Sequence, residues 1–519
     1  MPFDHLHPQR LFIWTLGLTL LLKCFLAVWF PLTGDEAFFY QWGQAPALGF
    51  ADHPPMVGWW LALLGFFSDH IGVGRLAPVF LTAFTAVGIV DTLRRLLPAQ
   101  HQSNAWWMGC IYLVMPWSWM FFLVTTDTPL VFFMTLSAWL LVRGETSAST
   151  GLAWRWFAAA GVTLGLAFLS KYFAVLLGLA FAVYIVGWRR DRWWALMLVI
   201  ALAMPSVAVH LHFNAYHGWQ NVMFNLFNRH EKADWGFQNA LVYLLMLLYL
   251  FTPWLVYQAA KHPSIGDQKT RRLIMILLTV PLLMLLLVSA KRSVGLHWVL
   301  GFVPFFMVWA GFSLSSTQRL AAFFKWTLWL SLPHLLVLWA LAGSPLQWWA
   351  QSSQYEKLVF LRHADQVTQT LTADLPESSQ LMSTAYSPAA VLAYHHKRYV
   401  PVFGLGRHYA RQDDLVVDFR ELQGKNIRIF NRSPMNVSEF EPFFDEIKVH
   451  EFQLSGASFY WLDGIGFNYS AYREKVLMDA ASQFHDLPKW LPLLGNPFCE
   501  RYGFVECAPV FASAVDKPN

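Results

Sequence analysis

The chain has 519 residues, 56% of them hydrophobic and 13% charged, with 44 Phe, 27 Trp and a formal net charge of +5. Soluble domains carry about 25% charged residues, so an ordinary globular enzyme is excluded and a polytopic membrane protein is indicated. The basic residues are dispersed between apolar stretches instead of forming a patch, which argues against a nucleic-acid partner.

Apolar runs predict about eleven membrane spans. They lie near residues 11–30, 73–97, 105–124, 128–143, 156–170, 172–188, 194–212, 240–260, 273–290, 296–312 and 326–343. No small-residue cleavage site follows the first run, which reads as a signal anchor. The fifth and sixth are short and pivot on Lys171, as tilted or partly re-entrant segments would. Arg10, Arg94, Arg95, Arg143, Arg155, Arg189, Arg190, Arg192, Lys261, Arg271, Arg272, Arg319 and Lys325 all fall on one side of this layout. The positive-inside rule makes that side cytoplasmic. The first loop (31–72), the turn at 125–127, the loop 213–239 and the C-terminal region then lie outside.

From about residue 344 the composition becomes that of a globular protein. Residues 381–384, 399–402 and 426–430 predict short strands. Residues 387–395 predict a helix, with Ser387 at its N-cap and Pro388 in its first turn. The expected organisation is a membrane domain over 1–343 and a soluble α/β domain over 344–519. No internal repeat or low-complexity tract is visible. Cys24 and Cys110 sit in apolar spans as packing residues. Cys499 and Cys507 lie in the polar C-terminal region, where a disulfide and two free thiols are both open readings. Their spacing fits no common zinc site.

Ionisable residues on the predicted outer side are few, and each has a structural reading beside a functional one. Carboxylates beside hydrocarbon are costly without a partner or a task. Asp35 and Glu36 are either a helix-start pair favoured by the macrodipole or a site in which Asp35 is a general base. Asp52-His53-Pro54-Pro55 is either a helix-starting turn or part of that site. Asp127 caps the next helix ahead of Pro129, or adds a third acid. Oxygen ligands of this kind suit a hard divalent metal ion, with Glu36 and Asp127 as candidates, though no spacing demands one. Lys171 either snorkels or holds a phosphate. Lys291, Arg292 and His297 run against the charge bias, and an anionic head group would explain them. The polar, aromatic stretch with Asn214, His217, Trp219 and Arg229 anchors the interface or contacts sugar. His5, His7, His395 and His396 read as solvated. Outward bases that hold a phosphate and an acid that activates a nucleophile suit group transfer from a lipid phosphate.

These motifs resemble the membrane glycosyltransferases of the GT-C class. They are most similar to the bacterial branch of the protein O-mannosyltransferase family (family 39), akin to aminoarabinose–lipid A transferases. Gly34-Asp35-Glu36-Ala37-Phe38-Phe39-Tyr40 looks like that branch's acidic-pair motif, and Asp52-His53-Pro54-Pro55-Met56 like its second loop motif. Thr126-Asp127-Thr128-Pro129-Leu130 resembles its outer turn, with Thr126 in place of the usual Pro. Ser170-Lys171-Tyr172, Asn214 with His217-Gly218-Trp219, and Gly295-Leu296-His297-Trp298 follow in the family's order over roughly the first 310 residues. Residues 411–415 and 422–425 match further, less closely.

The resemblance implies a polytopic GT-C fold and an inverting transfer of one sugar from a polyprenyl phosphate. The acceptor would be lipid A or lipopolysaccharide, another envelope glycan or a protein, on the periplasmic face of a bacterial inner membrane. Asp35 would be the base. Glu36, Asp52, His53 and Asp127 would line the site or hold a metal. Lys171 and Arg292 would hold the carrier phosphate, with Lys291 and His297 as further candidates. Rival readings are a lipid-linked-sugar flippase, against which no inverted repeat is seen, and a non-catalytic sensor or scaffold.

Overall fold

The computed structural model describes residues 7–227, 236–262, 264–313, 315–406, 412–488 and 490–507. It divides into two compact units. The first comprises Met1–Trp29, Phe67–Val209 and Lys232–Leu338; the second comprises Phe30–Phe66, His210–Glu231 and Trp339–Asn519.

The first unit is helical. Among the described residues, six helices of the chain are long and apolar enough to cross a bilayer: Pro8–Trp29, Ile71–Leu96, Thr150–Phe168, Arg190–Tyr216, Gln268–Ser289 and Thr317–Gly343. Phe237–Phe251 and Pro253–Lys261 would make a seventh, bent by 88°. The break falls at Thr252, with φ of +60°, just before a proline that has no amide hydrogen to continue the ladder. Several of the eleven expected spans are shorter helices, such as Ser103–Val114, Ala174–Trp188 and Val303–Gly311. Pro116 opens a 3-10 turn after the first of these, and 3-10 turns at Leu296–Trp298 and Leu300–Phe302 use up the start of the last.

Small residues let these helices approach. A Cβ at Gly161 would run into the backbone of Val199, and one at Gly165 into Ser206, the kind of close crossing favoured in bilayers. The interior is filled by Trp107, Tyr112, Phe157 and Phe181, all at most 1% exposed, while Trp14, Phe84, Leu287 and Trp329 stand exposed. An apolar outer surface on helices of spanning length is that of an integral membrane protein.

Charge is sorted along this unit. Asp91 accepts hydrogen bonds from Arg95 (2.8 Å), Trp139 (2.7 Å) and Arg143 (3.2 Å). Glu145 pairs with Arg189 and, at 3.3 Å, with Arg192. These basic helix ends therefore share one face. The helix Asp127–Glu145 has 19 residues, so Asp127 lies roughly 28 Å from that face at 1.5 Å per residue.

The second unit contains a four-stranded sheet: β1 (Gln380–Ser383), β2 (Ile427–Asn431), β3 (Glu446–Leu454) and β4 (Ala457–Ile465), in the order β1-β2-β4-β3. β1 and β2 are parallel, and the other pairs are antiparallel. The stretch expected as a strand at 399–402 contributes only a bridge from Val402 to Ser383. The β3–β4 hairpin turns at Ser455 and Gly456, both with positive φ, as tight hairpins require. The expected helix runs Tyr386–His396 and starts after Ala385, with no side-chain cap, so Ser387 lies inside it. Met382, Ile429, Leu462, Phe403 and Tyr472 form the core around the sheet. Cys499 and Cys507 are joined in a disulfide with Cα atoms 5.8 Å apart, which settles the reading left open above. Cys24 and Cys110 are free.

Candidate functional site

In the second unit the acidic pair begins the helix Gly34–Gln44. Thr33 is its N-cap and forms a capping box with Glu36: the Thr33 hydroxyl accepts from the Glu36 amide, and the Glu36 carboxylate accepts from the Thr33 amide at 3.3 Å. Glu36 is 1% exposed, and its carboxylate satisfies helix-start donors. Asp35, one residue earlier, points outward and is exposed. The two acids thus divide into one that builds the helix and one available for chemistry.

Asp35 has a partner that local sequence did not indicate. The Tyr386 hydroxyl donates to Asp35 Oδ1 at 2.7 Å, and the Tyr386 ring packs edge-on against Phe38, 5.3 Å between centroids. The helices 34–44 and 386–396 lie so close that a Cβ at Gly34 would collide with the Ser387 hydroxyl. Burial, followed by the charges of Asp35 and Asp52, pushes the Tyr386 hydroxyl well above the usual phenol range.

The second motif is a built turn. Asp52 Oδ2 lies 3.0 Å from His53 Nδ1. Phe50 stacks on Trp42, with centroids 4.3 Å apart. Side chains far away in sequence hold the turn: Gln412 accepts from the Ala51 amide (3.1 Å), Asn221 donates to Phe50 O (3.0 Å) and Asn225 donates to Asp52 O (2.9 Å). The amides satisfy backbone groups that the two prolines leave without a ladder. Asn221 and Asn225 lie in no local motif, and Gln412 lies in the stretch 411–415 that matches the family less closely.

Asn214 is fully buried; its amide donates to His210 O (2.9 Å) and its carbonyl accepts from the Val222 amide. His217 bonds to Phe213 O at 2.7 Å, and burial lowers its pKa below the usual histidine value. Gly218, with φ of +62°, donates to Gly495 O, and the Trp219 indole donates to Pro492 O at 2.8 Å. This loop is therefore a brace to residues 492–495. Arg229 lies outside the described residues.

In the first unit, Lys171 Nζ bonds Asp127 Oδ1 at 2.7 Å, with side chains 11% and 12% exposed. The acid and the base singled out separately are one ion pair. Asp127 is the first residue of its helix, one position inside the N-cap Thr126, which makes no side-chain cap. Phe173, with Lys171 Nζ 5.8 Å from its ring, also packs on Trp298 at 4.7 Å, so the Lys171 turn meets the 295–298 turn. His297 presses on Gly295, where a Cβ would strike the ring. Lys291 is exposed, and Arg292 is partly exposed.

No group of three or more His, Cys, Asp or Glu side chains that could hold a metal ion is found among the described residues. Glu36 is committed to its cap and Asp127 to Lys171, so these two do not fit a metal centre.

Residues 52–213 match the model of the dolichyl-phosphate-mannose-protein mannosyltransferase family. Over 277 residues the chain is 24% identical to the lipid A galacturonosyltransferase RgtD of Rhizobium johnstonii, covering 49% of this chain and 54% of that protein. The matched segment thus spans about half the length of this curated relative. The fold is that of ArnT from Cupriavidus metallidurans. Its apo crystal structure superposes with a TM-score of 0.58 at 14% identity, covering 87% of this chain and 97% of ArnT. The undecaprenyl-phosphate-bound form gives 0.59 at 13% identity with the same coverage. The resemblance read from the motifs, to GT-C membrane glycosyltransferases, is thus shown by family model, relative and fold together.

Proposed function

We propose that the protein is a glycosyltransferase that moves one sugar from a polyprenyl-phosphate carrier to an envelope acceptor. One observation carries the reading. Of the adjacent acids at the start of the 34–44 helix, Glu36 is spent on the capping box, while Asp35 presents an exposed, hydrogen-bonded carboxylate. Asp35 Oδ2 is then the base that takes the acceptor hydroxyl proton. The acceptor oxygen attacks the anomeric carbon, the carbon–phosphate-oxygen bond breaks, and polyprenyl phosphate leaves with inversion. Lys171 and Arg292 hold the carrier phosphate, with Lys291 and His297 beside them in role. Asp52 and His53, in the unit that carries Asp35, line the donor site. A ligand-bound ArnT with undecaprenyl phosphate supports the carrier class, and the galacturonosyltransferase relative supports lipid A or lipopolysaccharide as the acceptor.

The same reading places Asp35 and residues 344–519 on the periplasmic face of the bacterial inner membrane. The basic helix ends of the first unit share one face, which supports it. The Cys499–Cys507 disulfide suits an oxidising compartment. Residues 344–519 act as a soluble domain and residues 1–343 as the membrane domain. Mass spectrometry of envelope glycolipids from a deletion strain, complemented by wild-type or Asp35→Asn protein, is the test. One glycolipid should disappear in the deletion, return with wild type and stay absent with Asp35→Asn. Its return with Asp35→Asn would remove Asp35 as base.

A further inference from the structure

The C-terminal segment adds a residue to the chemistry proposed for the first loop. We infer that Tyr386 is a positioning residue for Asp35: its hydroxyl holds Oδ1 and leaves Oδ2 to receive the acceptor proton. The inference rests on the reading of Asp35 as base and goes beyond it, because nothing in the first-loop motifs points to a tyrosine some 350 positions later.

Three features make the contact a built one. The hydroxyl–carboxylate distance of 2.7 Å is that of a charge-assisted bond. The Tyr386 ring is fixed by Phe38 from the same helix that carries Asp35, so donor and acceptor are referenced to one element. Gly34 lets the two helix starts approach, since any side chain there would meet Ser387. The pair is further clamped at the other end of the helices, where Tyr40 and Tyr394 pack edge-on at 4.8 Å and Lys397 lies 4.5 Å from the Tyr394 ring.

An exposed aspartate alone would sample several rotamers. A donor on one oxygen selects one of them and orients the free lone pairs, which matters because a general base must meet its proton within hydrogen-bond reach. The hydroxyl stays protonated beside Asp35 and Asp52, so Tyr386 donates throughout and takes no proton itself. The ionisable neighbours on the packed elements are Asp35, Glu36 and Tyr40 on the 34–44 helix, Asp52 and His53 on the adjoining turn, Asp365 on the 364–372 helix, and Tyr394, His395, His396 and Lys397 at the end of Tyr386's own helix.

The test is the pH profile of the initial transfer rate in membranes carrying the full-length protein and the native donor pool. The product followed is the glycolipid that disappears in the deletion strain. Loss of a donor to a carboxylate favours its protonated form. Tyr386→Phe should therefore move the acidic limb upward by roughly one pH unit and lower the rate near neutrality by roughly tenfold. Thermal melting should be little changed, because the ring against Phe38 is kept. Replacement of Tyr386 by 3-fluorotyrosine, a stronger donor of the same shape, should move the limb the opposite way and serves if the Phe variant does not accumulate. An unmoved acidic limb with either replacement, while Asp35→Asn is inactive, would overturn the inference alone. Full activity of Asp35→Asn would overturn the reading beneath it.

Discussion

Adjacent residues of one type can carry opposite burdens. Thr33 and Glu36 serve the helix, and Asp35 serves its surface. Thr33→Ala should lower stability in detergent by about 1 kcal/mol, read as a fall in the thermal melting midpoint. Asp35→Asn should leave that midpoint in place and abolish transfer. The Lys171–Asp127 pair makes the complementary case. Lys171→Met alone leaves a nearly buried carboxylate without its cation, with an expected cost of about 3 kcal/mol. The double variant Lys171→Met/Asp127→Asn should recover part of that loss in the same melting experiment. A double variant as unstable as the single one would show that the charge pair is not the source of the cost.

At the scale of elements, the sheet of the second unit rests on apolar registry and on one buried cation. Leu462 is fully buried and lies opposite Ile429 on β2 and Val449 on β3. Leu462→Ala should cost about 2–5 kcal/mol. Arg428 is 5% exposed and donates to Asp463 (2.7 Å), to Asp374 and to Leu371 O (3.0 Å). Its guanidinium holds the Asp374 carboxyl below the usual aspartate range. A depressed carboxyl contributes stability that is present above its unfolded pKa, about 3.9, and that fades as pH falls through the lower folded value. Acid unfolding should therefore steepen below about pH 4, and Asp374→Asn should remove that increment. Asp374 is largely exposed, so solvent screens the effect and a small one is expected.

At the scale of the whole molecule, the disulfide and the charge bias make one joint prediction about sidedness. Alkylation of the denatured, unreduced protein should label two cysteines, Cys24 and Cys110, and labelling after reduction should reach all four. Loss of the bond should cost about 2–3 kcal/mol by chain entropy. A membrane-impermeant thiol reagent applied to intact spheroplasts should reach Lys425→Cys and spare Arg95→Cys. The reverse pattern would invert the topology.

Much of this was legible in the chain. Hydropathy marks the apolar helices because lipid leaves backbone groups no partner outside the helix, and two strands are legible from β-branched and apolar runs. The ordered motifs by themselves resemble those of the membrane glycosyltransferases. Span lengths were less readable: Pro116, Thr252 before Pro253, and the 3-10 turns at 296–302 interrupt runs whose composition alone continues. Hydropathy averages over windows, whereas one missing amide hydrogen ends a helix. The capping role of Glu36 was not legible either, since Asp35 and Glu36 differ by which way each points from the helix start. Contacts across hundreds of residues decided the rest. Tyr386, Asn221 and Asn225 have no local pattern, and packing alone brings them to Asp35 and the Asp52 turn. Sequence by itself determined the class of protein and the residues worth testing, because bilayer solvation acts on composition and motif chemistry on spacing. Only the tertiary structure decided how those residues divide their work, because hydrogen bonds and ion pairs depend on distance and not on order along the chain.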